Sequence, residues 1–167
     1  ANGGKTWEFL SWIMPEPEGF GIMPSTVRLS KDTLITTIRR RETSNRWIAA
    51  YISNNNGRVW EYLNDPVETL GEGNPPCLIR LADGRLCLTY GVRMAPFRIA
   101  ARLSGDGGLT WSREIVLRDD GNDRDIGYCR SVQRPDGKVV TTYYINDTET
   151  GPERYIAATI WEPAKAE

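Results

Sequence analysis

The chain has 167 residues, 40% of them apolar, with 21 Lys and Arg balancing 22 Asp and Glu, the mixture of one globular domain. A net charge of −1 supplies no field for nucleic acid or an anionic membrane, and no apolar run approaches the ~20 residues of a spanning helix. Histidine is absent, which excludes imidazole bases, Ser-His-Asp and Cys-His pairs and HExxH zinc sites.

Acid–base chemistry must therefore rest on carboxylates, Tyr, Lys or Arg-tuned groups. Cys77, Cys87 and Cys129 form no CxxC pair, so no metal and no cofactor is expected and the three read as small buried apolar residues.

In chain order, the opening ANGGKTW (1–7) leads into an expected strand at Thr6–Leu10. Then a long segment recurs three times without gaps. It reads MPSTVRLSKDTLITTIRRR from Met23, PPCLIRLADGRLCLTYGVR from Pro75 and YCRSVQRPDGKVVTTYYIN from Tyr128, at offsets of 52 and 53 residues. A second block follows each time: RWIAAYIS, FRIAARLS and RYIAATIW, with Ile-Ala-Ala at 48–50, 99–101 and, as Ile-Ala-Ala again, at 156–158. A third block reads SNNNGRVW at 53–60 and SGDGGLTW at 104–111, and ANGGKTW is the same box without its leading Ser.

Each unit then reads as strand a, turn, strand b, loop, strand c, the box as a tight turn, and strand d. In the second unit these are expected near 76–82, 85–93, 97–104 and 111–117. Four antiparallel strands in about 50 residues is the pattern of a propeller blade. The units run over 19–70, 71–123 and 124–167, with 1–18 supplying an outer strand. The fold class expected is all-β, three blades' worth of four-stranded antiparallel sheets, and no helix.

SGDGGLTW matches S-x-D-x-G-x-T-W at every specified position. On this box and the repeat, the chain resembles the sialidase-like, Asp-box (BNR) β-propellers, over essentially its whole length. The box is a structural device. Asp106 accepts backbone N–H bonds in the turn, Gly108 takes a positive φ and Trp111 wedges between strands. SNNNGRVW departs from it, with Asn55 for Asp and Val59 for Thr.

The resemblance implies six blades, so that three would leave two open edges. Either further N-terminal blades or a second copy, reached by the strand Thr6–Leu10, would close the ring. It also implies a glycan ligand, a secreted or periplasmic setting, and a nucleophilic Tyr at the start of the innermost strand of the last blade, eight residues before an Asp-Gly turn. Tyr128 and Asp136 keep that spacing. A Tyr suits an anionic sugar, since a carboxylate nucleophile would repel it.

An arginine clamp for the sugar carboxylate is the family's second requirement. Arg93 ends strand b of the second unit, Arg130 lies two residues after Tyr128 on the same face, and Arg124 precedes it in DRDIGY. Arg39 and Arg41 share one side of the run Arg39-Arg40-Arg41. Asp125 is either a carboxylate partner or a turn residue.

The departures are equally specific. Where the family places a Glu base this chain has Gly-Asn-Pro-Pro (73–76), with Glu72 out of register, and the acid/base Asp and first arginine belong to blades not present. The readings left open are a sialidase-like retaining exo-glycosidase acting on terminal acidic sugars, a non-catalytic glycan binder in which Tyr90, Tyr128 and Tyr143 stack on sugar, and a protein-binding propeller.

Overall fold

The computed structural model describes residues 2–14 and 19–163, in which eleven strands and no helix form. The first sheet is β1 (Phe20–Arg28), β2 (Leu34–Glu42), β3 (Asn45–Ser53) and β4 (Glu61–Val67), and the second is β5 (Cys77–Arg80), β6 (Leu86–Val92), β7 (Phe97–Ser104) and β8 (Ile115–Gly121). The third holds β9 (Gly127–Gln133), β10 (Val139–Ile145) and β11 (Tyr155–Trp161), with no fourth strand among the described residues. All pairings are antiparallel between consecutive strands. β1 touches β5 and β5 touches β9, so the first strand of each sheet lines a common axis. This is part of a β-propeller.

The repeat explains the packing. Period-two alternation sends Ile48 and Ile99 to the face that meets the next sheet, and both are fully buried. Ile48 packs with Leu78, Leu86 and Leu88 across the first interface, and Ile99 with Cys129 and Tyr143 across the second. Burial of each such side chain contributes about 1.5–3 kcal/mol. The third copy of the motif meets no sheet, and Ile156 is 78% exposed. The three cysteines are buried and free, as their spacing suggested.

The boxes form the same turn twice. In the second, the Ser104 hydroxyl donates to Asp106 and accepts the Gly108 N–H, while Asp106 Oδ1 accepts the Thr110 N–H at 2.9 Å. In the first, Ser53 and Asn55 repeat these contacts, with Asn55 Oδ1 accepting the Val59 N–H at 2.9 Å. The Asn-for-Asp departure therefore keeps the acceptor. Gly108 stands at φ +96°, which requires glycine, and a Cβ there would also press on Ile35 Cδ1 at 2.4 Å.

Two expectations are corrected. Strand d of the second unit begins at Ile115 rather than 111, because residues 111–114 close the turn, with Ser112 N–H bonded to Leu103 O and Glu114 held by Arg98. Thr6–Leu10 is not a strand. It has no strand beside it, and residues 9–14 lie instead against the outer face of the first sheet, where Ile13 and Met14 pack on Ile38, Ala49 and Tyr51.

Asp106 gives the turn a pH dependence. Burial opposes its ionisation, but hydrogen bonds from the Thr110 hydroxyl, the Thr110 N–H and Ser104 outweigh this and hold its carboxyl down at about 2. A depressed folded-state value means that stability is fully present above the unfolded value of about 3.9 and is lost as pH falls towards 2. Thermal melts at pH 4 and pH 2 are expected to show a smaller loss for Asp106→Asn than for the wild type. Equal losses would show that the carboxylate is not coupled to folding.

Candidate functional site at the mouth of the central axis

The three inner strands frame a groove of about 460 Å³, lined by Met23–Thr26 in the middle of β1, by Pro75 to Cys77 ahead of and in β5, and by Tyr128 and Arg130 near the start of β9. Two of these positions are bent in the same way. Met23 at φ +56° and Tyr128 at φ +53° both sit in the left-handed region, each beside a register shift in its sheet. A non-glycine residue there costs roughly 1–2 kcal/mol and needs outside support.

For Tyr128 that support is Asn74. Its fully buried side chain accepts the Tyr128 N–H at 3.0 Å through Oδ1 and donates to Ile126 O at 2.7 Å through Nδ2. Gly127 and Gly91 leave room for it: a Cβ on Gly127 would fall 2.2 Å from Asn74 Nδ2, and one on Gly91 would fall 3.0 Å from the same atom. The pair of hydrogen bonds ties the second blade to the third at the residue that turns Tyr128 into the groove.

Arg93 secures the other side. Its guanidinium lies 5.7 Å from the Tyr128 ring centroid, donates from Nε to Ile126 O at 3.0 Å, and bonds to Asp125 and the Tyr144 hydroxyl. Tyr144 in turn donates to Asp125 at 2.7 Å, and its ring is 5.7 Å from that of Tyr128. Burial, then the Asp125 bond, pushes the Tyr144 phenol up from its ordinary value. Asp125 is thus a carboxylate partner, shared by Arg93, Tyr144 and Arg154.

Arg39 belongs to the same cluster. It donates to Glu72 O at 3.0 Å, while its Nε is buried with no partner. Burial first, and Arg93 second, hold its guanidinium below the usual value, with Tyr128 acting in the opposite sense. Arg130 lines the groove with Tyr128, and its guanidinium donates to Cys129 O. Arg124 pairs with Glu72 on an exposed rim that also carries Asp123 and Arg154. No carboxylate bonds the Tyr128 hydroxyl among the described residues, and none of them form a metal-binding cluster.

Tyr90 does not belong to the site. It is fully buried, facing the first sheet, with its hydroxyl bonded to Glu114 and Arg102. Tyr143 is its counterpart one unit later and is buried against the second sheet, with its hydroxyl bonded to Thr159. Both positions alternate into the interface with the preceding blade, away from the groove. The residues missing from the sequence reading are Asn74 and Tyr144. A single Asn before Pro-Pro reads as a turn residue, and the bulge between Thr142 and Tyr144 displaces the facing pattern by which Tyr144 could have been found.

No family model and no curated protein matches the chain. Among solved structures, a protein of unknown function from Dyadobacter fermentans is similar at 28% identity and TM-score 0.80, over 96% of this chain and 43% of that one. The Penicillium chrysogenum α-L-arabinanase complexed with arabinobiose matches at 17% identity and TM-score 0.66, over 85% of this chain and 46% of its own. The Fusarium graminearum α-L-arabinofuranosidase with arabinobiose matches at 19% and 0.63, over 93% and 50%. This chain thus spans half or less of each of the three. The two with a stated activity are an arabinanase and an arabinofuranosidase. What these two glycoside hydrolases share with this chain is the β-propeller fold.

Proposed function

We propose that the groove at Tyr128 holds the terminal sugar of a glycan and that the propeller to which this chain contributes is a glycoside hydrolase. The carrying observation is the support given to Tyr128. A strained backbone, a buried Asn74 and a cation over the ring all serve to present one phenol at a groove, which is the pattern expected of a functional position. The fold shared with enzymes solved with arabinobiose supports a sugar as the occupant.

An acidic sugar is the first reading, by resemblance to sialidases, with Tyr128 as nucleophile. In this site Asp125 already balances Arg93, so the carboxylate would fall to Arg130, which lines the groove. A neutral arabinose-type sugar is the second reading, favoured by the arabinobiose-bound structures and by that same balance. Turnover also needs a base and an acid, and among the described residues no carboxylate bonds the Tyr128 hydroxyl.

Titration calorimetry of the chain with sialic acid and, separately, arabinobiose tests the proposal. Binding of sialic acid that weakens at least tenfold in Arg130→Ala supports the acidic reading, and binding of arabinobiose alone supports the neutral one. No heat from either would remove the glycan site.

A further inference from the structure

We infer that the groove selects an aryl glycoside: the sugar lies along Tyr128 and Arg130, and the aromatic ring bonded to it lies on Met23, Pro24 and the Pro75–Pro76 floor. The inference rests on the glycan reading of the groove and adds which group the sugar carries. It begins from an equivalence in the repeat. Met23 and Tyr128 are 105 residues apart, the repeat offsets of 52 and 53 taken together, and both are left-handed beside a register shift. Both line the groove. A methionine gains nothing from such a backbone by itself, since Gly, Asn and Asp are the residues that adopt it readily. The two bends set a thioether from the first blade and a phenol from the third on either side of β5.

The wall around Met23 can give a ligand little hydrogen bonding. Pro24, Pro75 and Pro76 carry no N–H. The Ser25 hydroxyl accepts the Leu78 N–H at 2.8 Å, the Thr26 hydroxyl donates to Thr36 Oγ1 at 2.8 Å, and the Cys77 sulfur accepts the Ser131 N–H at 3.2 Å. These bonds join neighbouring strands, so a ligand could use them only by loosening the sheets. The Tyr128 phenol and the Arg130 guanidinium remain as the strong side-chain donors lining the groove.

A sugar carries a hydroxyl on most of its carbons, and each one buried without a partner weakens binding. The sugar therefore belongs at the Tyr128–Arg130 end. The Met23–proline wall favours an apolar group that needs no partner. An aromatic ring suits it better than an alkyl chain. A thioether packs favourably against aromatic rings, and a rigid ring loses less rotational freedom on binding. At about 460 Å³ the groove is in the range of pockets that enclose a drug-sized ligand, which leaves room for a ring beside the sugar.

Titration calorimetry of the chain with two pairs of glycosides tests this: 4-nitrophenyl and methyl α-L-arabinofuranoside, and 4-methylumbelliferyl and methyl α-sialoside. Within the pair whose sugar binds, the aryl glycoside is expected to bind at least tenfold tighter than the methyl one. Met23→Leu should keep most of that ratio, and Met23→Asn should lose it. Asparagine adopts the left-handed backbone readily, so Met23→Asn keeps the bend, and a melt like that of the wild type confirms its fold. A wild-type ratio near one, or a ratio that Met23→Asn leaves unchanged, would overturn the inference while the sugar reading stands on the methyl glycoside. No binding by any of the four would overturn both.

Discussion

Asn74→Ala is expected to release Tyr128 from the groove while leaving the three sheets folded. It strips the partner from the Tyr128 N–H and one of two donors from Ile126 O, in a place that water does not reach. An unsatisfied buried group costs about 1–3 kcal/mol, and the left-handed conformation of Tyr128 has no other side-chain bond to hold it. The interfaces around Ile48 and Ile99 are untouched, so cooperative unfolding should persist at a lower denaturant midpoint. Sugar affinity should fall by tenfold or more. Asn74→Asp keeps the acceptor but loses the donor to Ile126 O and places a charge in a buried site, so it should not restore binding. Gln is too long, since Gly91 and Gly127 already crowd the amide. Wild-type affinity in Asn74→Ala, despite lower stability, would reduce Asn74 to a packing residue.

Arg93→Ala is expected to be the second most damaging change, at about 1.5–3 kcal/mol for charged hydrogen bonds. The side chain is 12% exposed and joins Ile126 O, Asp125 and Tyr144 in one arrangement. Asp125 keeps Arg154 and stays solvated, which limits the loss. Arg93→Lys should recover little, because an ammonium cannot reach three acceptors from one plane. Chemical denaturation of the three proteins checks this. A lysine variant as stable as the wild type would show that only the charge matters.

The propeller was legible in the sequence because a blade is a repeat, and repeats declare their own boundaries. Met23, Pro75 and Tyr128 hold equivalent places in or just ahead of the inner strands, and Ile48 and Ile99 bury equivalent faces. The turn of the box was legible too, since a Ser, an acceptor two residues on and a glycine suffice to build it, whether the acceptor is Asp106 or Asn55. The site was legible only in part. Arg93 and Asp125 meet beside Tyr128, and Arg130 lines the groove with it, but the placement of a strand residue depends on which sheet it faces. Tyr90 and Tyr143 face the preceding blade, a fact that alternation alone leaves undetermined. Tyr144 is brought to Tyr128 by a bulge, and Asn74 acts on a residue 54 positions away. Neither effect leaves a local pattern. Thr6–Leu10 carries the sequence of a strand, yet a strand exists only when another pairs with it.

A crystal of the chain soaked with sialic acid, and a second with arabinobiose, tests the central claim most directly. The account predicts one of the sugars in the groove between Pro24, Tyr128 and Arg130, with its ring within contact of the Tyr128 phenol. Saturating sugar bound elsewhere, or an empty groove in both crystals, would contradict it.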